Sequence, residues 1–124
     1  MRRIYFIIGV LTLLLASCGK QHQAESLVED FMEAHLADPS SLGKVTFRDI
    51  DSTSAFCNDS IIQLIRAHAA ESGRYRSDIV YAKPDGATGK LIFIRVNYRL
   101  KDQEMSDTYY LNPSLTGVVA VKTN

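Results

Sequence analysis

Arg2 and Arg3 stand directly before an unbroken apolar stretch, Ile4 through Leu15, and no further charge appears until Lys20. A segment this apolar must be buried, cross a bilayer or be removed. Twelve residues of helix rise about 18 Å, well short of the roughly 30 Å of hydrocarbon in a membrane. A basic start, a short apolar run and the small residues Ala16 and Ser17 instead have the layout of a cleaved secretory signal peptide. Composition agrees that this segment is separate from the rest. Of the first 17 residues 12 are hydrophobic, against 46% for the whole chain, and with them set aside the share falls to about 42%, ordinary for one small soluble domain. The chain carries 14 basic and 14 acidic residues, and losing Arg2 and Arg3 leaves a formal charge of −2. That balance gives no bulk attraction to polyanions, so nucleic acid is excluded as an expected partner.

The next four residues, Leu15-Ala16-Ser17-Cys18, resemble the lipobox of bacterial lipoproteins: an aliphatic residue, two small ones, then cysteine. The resemblance implies cleavage between Ser17 and Cys18 and acylation of Cys18 by a diacylglyceryl group and an N-linked chain of the palmitate class. It makes the lipid bilayer a partner through acylated Cys18, since more than one acyl chain gives stable anchoring. The expected organisation is a signal peptide over 1–17, a lipidated tether over 18–23 and one small domain over 24–124. Lys20-Gln21-His22-Gln23 lacks the acidic cluster common after the cysteine in surface-exported lipoproteins of the Bacteroidetes. The expected location is therefore the cell envelope, anchored in the outer membrane and facing the periplasm.

In the domain, Leu27, Val28, Phe31, Met32 and Leu36 recur at three-and-four spacing with acidic residues opposite, predicting an amphipathic helix over 24–36. Asp38-Pro39-Ser40-Ser41 predicts a capped corner. Val45 and Phe47 alternate as a strand, with Ile50 out of phase at its end. Asn58 or Asp59 caps a second helix through Ser72, stopped by Gly73, with Ile61, Leu64, Ile65 and His68 as its apolar stripe. Four further strands are predicted over 75–83, 90–101, 106–111 and 116–122. In the second of these, Ile92, Ile94, Val96, Tyr98 and Leu100 share one face, while Arg95, Asn97 and Arg99 share the other. The expected class is α+β: two amphipathic helices packed on one face of a mainly antiparallel, four- to five-stranded meander sheet.

The lipobox, a helix ending in Phe31 to Leu36, Asp38-Pro39-Ser40-Ser41, and a strand running into Asp49-Ile50-Asp51-Ser52-Thr53 together resemble small lipoproteins of the Bacteroidetes. That group has no agreed activity, so the resemblance implies location and layout. As architecture alone, a helix with an antiparallel meander is similar to cystatin-like or inhibitor-like folds.

No catalytic constellation emerges, and no cofactor is expected. His22, His35, His68 and Cys57 show no metal-ligand spacing. With Cys18 acylated, Cys57 is an unpaired thiol without a nearby base, read as structural and shielded. Gly89-Lys90 lacks the Ser/Thr and following helix of a phosphate loop. Asp49 and Asp51, on one side of a strand, stand about 7 Å apart, and read as solvated strand-end acids. Arg95, Asn97 and Arg99, with Arg74 and Arg76 and beside Tyr75 or Tyr109, form the best candidate binding surface. Its expected partners are an acidic envelope protein, a peptidoglycan carboxylate or an anionic headgroup. The functional expectation is a non-catalytic binding or scaffolding module of the envelope, with a small envelope hydrolase or inhibitor-like module as the alternative.

Overall fold

The computed structural model describes residues 2–54, 58–84 and 89–124, with side chains from residue 19 onward. Helix α1 spans Arg2–His35 and is followed by a 3-10 turn at Pro39–Ser41. Strands β1 (Leu42–Phe47) and β2 (Asp51–Thr53) precede helix α2 (Asp59–Glu71), and β3 (Leu91–Leu100), β4 (Gln103–Leu111) and β5 (Val118–Thr123) complete the chain. The strands make one antiparallel sheet in which β3 pairs with β1 and β2 along one side and with β4 along the other; β5 lies beyond β4. The protein is therefore α+β, with the last three strands forming a meander. The β3–β4 connection is tighter than the sequence suggests. Leu100 pairs with Gln103, and Lys101 and Asp102 turn the chain with φ of 52° and 64°, the left-handed conformation of a two-residue hairpin turn.

The alternation in β3 is realised as predicted. Ile94, Val96, Tyr98 and Leu100 are buried, whereas Arg95, Asn97 and Arg99 are exposed. Against the buried face lies α1, through Ala24, Val28, Phe31, Met32 and the following Leu36. Phe31 is central there, with its ring near those of His35, Tyr75, Tyr81 and Tyr109.

In α2 the side chain of Asn58 accepts the Ser60 N–H at 2.8 Å, and Gly73 follows the helix at φ 76°, so both predicted ends hold. The stripe is rotated, however. Ile62, Ile65 and Ala69 are buried, while Leu64 is 60% exposed and Ile61 and His68 face solvent. Adjacent Ile61 and Ile62 make either stripe plausible by spacing. The true one includes Arg66, whose guanidinium donates to the carbonyls of Val119 at 2.8 Å and Ala82 at 3.3 Å while its stem lies along the helix face. The one-face arrangement describes α1 and Ala69; Ile62 and Ile65 make a second cluster with Leu91, Tyr110, Val119 and Ala120.

Residues 75–83 do not form the predicted strand. The termini of that stretch are taken up elsewhere: Arg76 N–H donates to His35 O, Ala37 N–H to Arg74 O, and Ala82 N–H to Val118 O. Gly117 permits this last approach, since a Cβ there would stand 2.5 Å from that of Ala82. Residues 19–23, expected as a tether, are helical and continue α1. They carry no apolar periodicity, yet Gln21 and Gln23 are bonded to the domain, with Gln21 Nε2 donating to Arg48 O at 2.9 Å.

Candidate binding face

Strand side chains alternate across a sheet, so the face of β3 turned away from α1 presents Arg95, Asn97 and Arg99. Their cross-strand neighbours on β4 are Thr108, Ser106 and Glu104, and Thr46 of β1 stands beside Asn97. Two shallow concavities of about 520 and 750 Å³ adjoin on this face and share Ser106 and Asn124. Phe93 and Tyr110, directly opposed across β3 and β4 with ring centroids 6.4 Å apart, form part of the smaller one. Lys122 lines the same hollow and Lys44 the larger.

The electrostatics of this surface favour anions. Lys44, Arg95, Arg99 and Lys122 line it, and Glu104 is the one acidic side chain among the described residues that do. Arg99 reaches Glu104 at 3.9 Å with both side chains largely in water, a contact that neutralises little. Burial pushes the Tyr110 phenol upward, and Arg95 nearby opposes that shift. The hydroxyls of Thr46, Ser106 and Thr108 and the amide of Asn97 add donors and acceptors between the cations.

Arg95, Asn97 and Arg99 are thus brought together, but Arg74 is not beside them. Its guanidinium stands 3.1 Å from Asp107 Oδ1, on the core side of the sheet. Asp107 is fully buried, and its Oδ2 accepts hydrogen bonds from Tyr75 at 2.6 Å and Tyr98 at 2.5 Å. The Tyr75 and Tyr109 hydroxyls are 2.7 Å apart. Tyr75 and Tyr109 are therefore core residues and not aromatic members of a surface patch. Desolvation drives all three phenols well above their ordinary range, with the Asp107 charge adding to it. Asp107 Oδ1 has Arg74 as its ion-pair partner but no aligned hydrogen bond. The arrangement concentrates polar groups on the buried face of the sheet, which suits a structural lock. Asp107 shares its strand phase with Tyr109 and Leu111, and a lone acid on an apolar face was the signal for it.

Asp49 and Asp51 are both exposed and lie on different elements, one in the β1–β2 link and the other opening β2, where Asp51 accepts the Ser52 N–H. His22 and His68 are exposed, and His35 ends α1 against Phe31. Among the described residues no three His, Cys, Asp or Glu side chains come together as metal ligands. Cys57 lies outside the described residues, as does the side chain of Cys18. The chain matches no family model, no curated protein and no solved structure.

Proposed function

We propose that this protein is a lipid-anchored lipoprotein of the bacterial cell envelope whose domain binds or scaffolds an acidic partner without catalysing a reaction. The observation that carries the anchoring is Leu15-Ala16-Ser17-Cys18 at the end of a short apolar run that starts with two arginines. Acylated Cys18 places the chain on the bilayer, in the outer membrane with the domain in the periplasm. Support for the binding role comes from the exposed sheet face, where Arg95 lines one and Asn97 and Arg99 the other of two adjoining hollows too open for sequestered chemistry. A peptidoglycan carboxylate or an acidic envelope protein is the partner whose charge fits.

Labelling with a clickable palmitate analogue in a bacterial host, followed by fractionation and an alkaline wash, tests the anchor. The native chain is expected to take up label and stay with membranes, and Cys18→Ala to lose both. Membrane retention of Cys18→Ala after the wash would reject lipidation as the anchor.

A further inference from the structure

We infer that the anchor holds the domain flush against the bilayer in one orientation, with the β1–β2 corner and the β4–β5 turn at the lipid headgroups. This rests on Cys18 being the lipidated residue, and it adds to that reading which surface of the domain meets the membrane.

The residues that follow Cys18 are bonded to the domain almost at once. Gln21 is locked to the β1–β2 corner: its Nε2 donates to Arg48 O at 2.9 Å and to Glu25 Oε2 at 3.0 Å, and its Oε1 accepts the Ile50 N–H at 2.8 Å. Two residues later Gln23 Nε2 donates to Leu115 O, in the β4–β5 turn, at 3.3 Å. Ala24 is already fully buried. Only Gly19 and Lys20 separate the acylated residue from the first side chain bound to the domain.

Length then fixes proximity. Three residues reach at most about 11 Å when extended, and about 4.5 Å as helix. A headgroup layer is roughly 5 to 7 Å deep on each side of the hydrocarbon. Gln21 and the corner it holds must therefore sit at the headgroups or immediately above them. A freely jointed tether of about twenty residues would instead wander over roughly 25 Å and let the domain tumble.

The chemistry at this end is compatible with phosphate-rich headgroups. Lys20 and Arg48 are exposed there, and Asp49 beside them is exposed too, so the membrane contact is imposed by the tether length and not by a strong charge patch. At the other end of the sheet, the β3–β4 turn lies about 23 Å further along β3 from the Asp51–Phe93 pairing. Arg99, next to that turn, faces the aqueous space, where a partner that is not in the membrane can reach it.

The test uses the full chain, processed and lipidated in a bacterial host. In a Cys57→Ala background, a fluorophore is attached at Asp49→Cys or at Gln103→Cys. The protein is reconstituted in phosphatidylethanolamine and phosphatidylglycerol vesicles bearing a nitroxide headgroup lipid. Flotation is read first, then quenching. The Asp49 probe is expected to be quenched several-fold more than the Gln103 probe. Inserting about twenty Gly/Ser residues between Cys18 and Gly19 should remove that difference while flotation persists. Equal quenching at both positions in a chain that floats overturns the fixed orientation and leaves the anchor intact. A chain that does not float removes the lipoprotein reading, and the orientation falls with it.

Discussion

The Tyr75 hydroxyl donates to Asp107 Oδ2 across 2.6 Å, fastening the segment after α2 to the middle of β4 inside the core. Tyr98 of β3 donates to the same oxygen, and Arg74 pairs with the other. One carboxylate thus ties the segment after α2 to both strands of the β3–β4 hairpin. Asp107→Ala removes the charge and leaves Arg74, only 13% exposed, without its counter-ion and two phenols without an acceptor. Breaking one side of a buried ion pair costs about 3 to 5 kcal/mol, and urea unfolding of the soluble chain beginning at Gly19 is expected to show a loss of that order. Asp107→Asn keeps an acceptor and should lose less.

The same cluster sets an alkaline limit on stability. Tyr75, Tyr98 and Tyr109 have folded-state pKa values raised above those of the unfolded chain, chiefly by desolvation. Below the unfolded value of about 10 both states keep the protons and these groups impose no pH dependence. Above it the unfolded chain releases protons that the folded state retains, so stability falls as pH rises toward the folded values. Each retained proton contributes a slope of about 1.4 kcal/mol per pH unit. Tyrosinate absorbance is expected to show these three phenols ionising together with unfolding. Independent ionisation of all three in a chain whose circular dichroism is unchanged would contradict their burial.

The rotated stripe of α2 separates two leucine-like positions that sequence spacing treats alike. Ile62 is buried beside Tyr110 and Val119, whereas Leu64 points to water. Ile62→Ala should cost about 2 to 5 kcal/mol, and Leu64→Ala less than about 0.5 kcal/mol. Thermal or urea midpoints of the two variants decide it. A larger loss at Leu64 than at Ile62 would restore the Ile61-Leu64-Ile65-His68 stripe.

Periodicity made legible what apolar side chains determine. The face of α1 carrying Val28, Phe31 and Met32, and the alternation from Ile92 to Leu100, could be read because burial of one face requires those spacings. Polar side chains that fold back on the chain leave no such trace. Gln21 looks like spacer because its role depends on the carbonyl of Arg48 and the N–H of Ile50, which its own sequence context does not announce. Residues 75–83 have strand-like composition, but their backbone groups find partners at the end of α1 and on β5 at isolated points. Arg66 hid the stripe of α2 because its charge argued against the face that its stem covers. The candidate binding face was legible as three alternating residues of β3. Its extent was not, because Lys44 and Lys122 join it only through the order of the strands.

Gln21→Ala should therefore loosen the start of α1 more than an exposed helix position would. Ile50 loses the acceptor of its N–H and Arg48 O a donor, each worth about 0.5 to 1.5 kcal/mol where solvent replaces the bond poorly. Amide exchange at Ile50 is expected to accelerate with little change at Ile94, in the sheet centre. Unchanged protection at Ile50 would show that the corner is held without Gln21.

The exposed face of β3 should separate binding from folding. Arg95 and Arg99 lie out of phase with the buried Ile94, Val96 and Tyr98, and the contact of Arg99 with Glu104 is long and solvated. Replacing both arginines with alanine is expected to change stability by less than about 0.5 kcal/mol per site. Their charges act on encounter and on salt dependence, so the double variant should bind fragments of peptidoglycan stem peptide bearing free carboxylates, or an acidic envelope protein, more weakly than the native chain. The difference should be largest at low ionic strength, because charges this exposed are screened beyond about 10 Å at 0.1 M salt. Titration calorimetry at two salt concentrations measures both quantities. A double variant that folds normally and binds the same ligands with unchanged affinity would reduce the face to solvated surface, and the partner would then have to be sought on the exposed side of α2, where Leu64 stands in water.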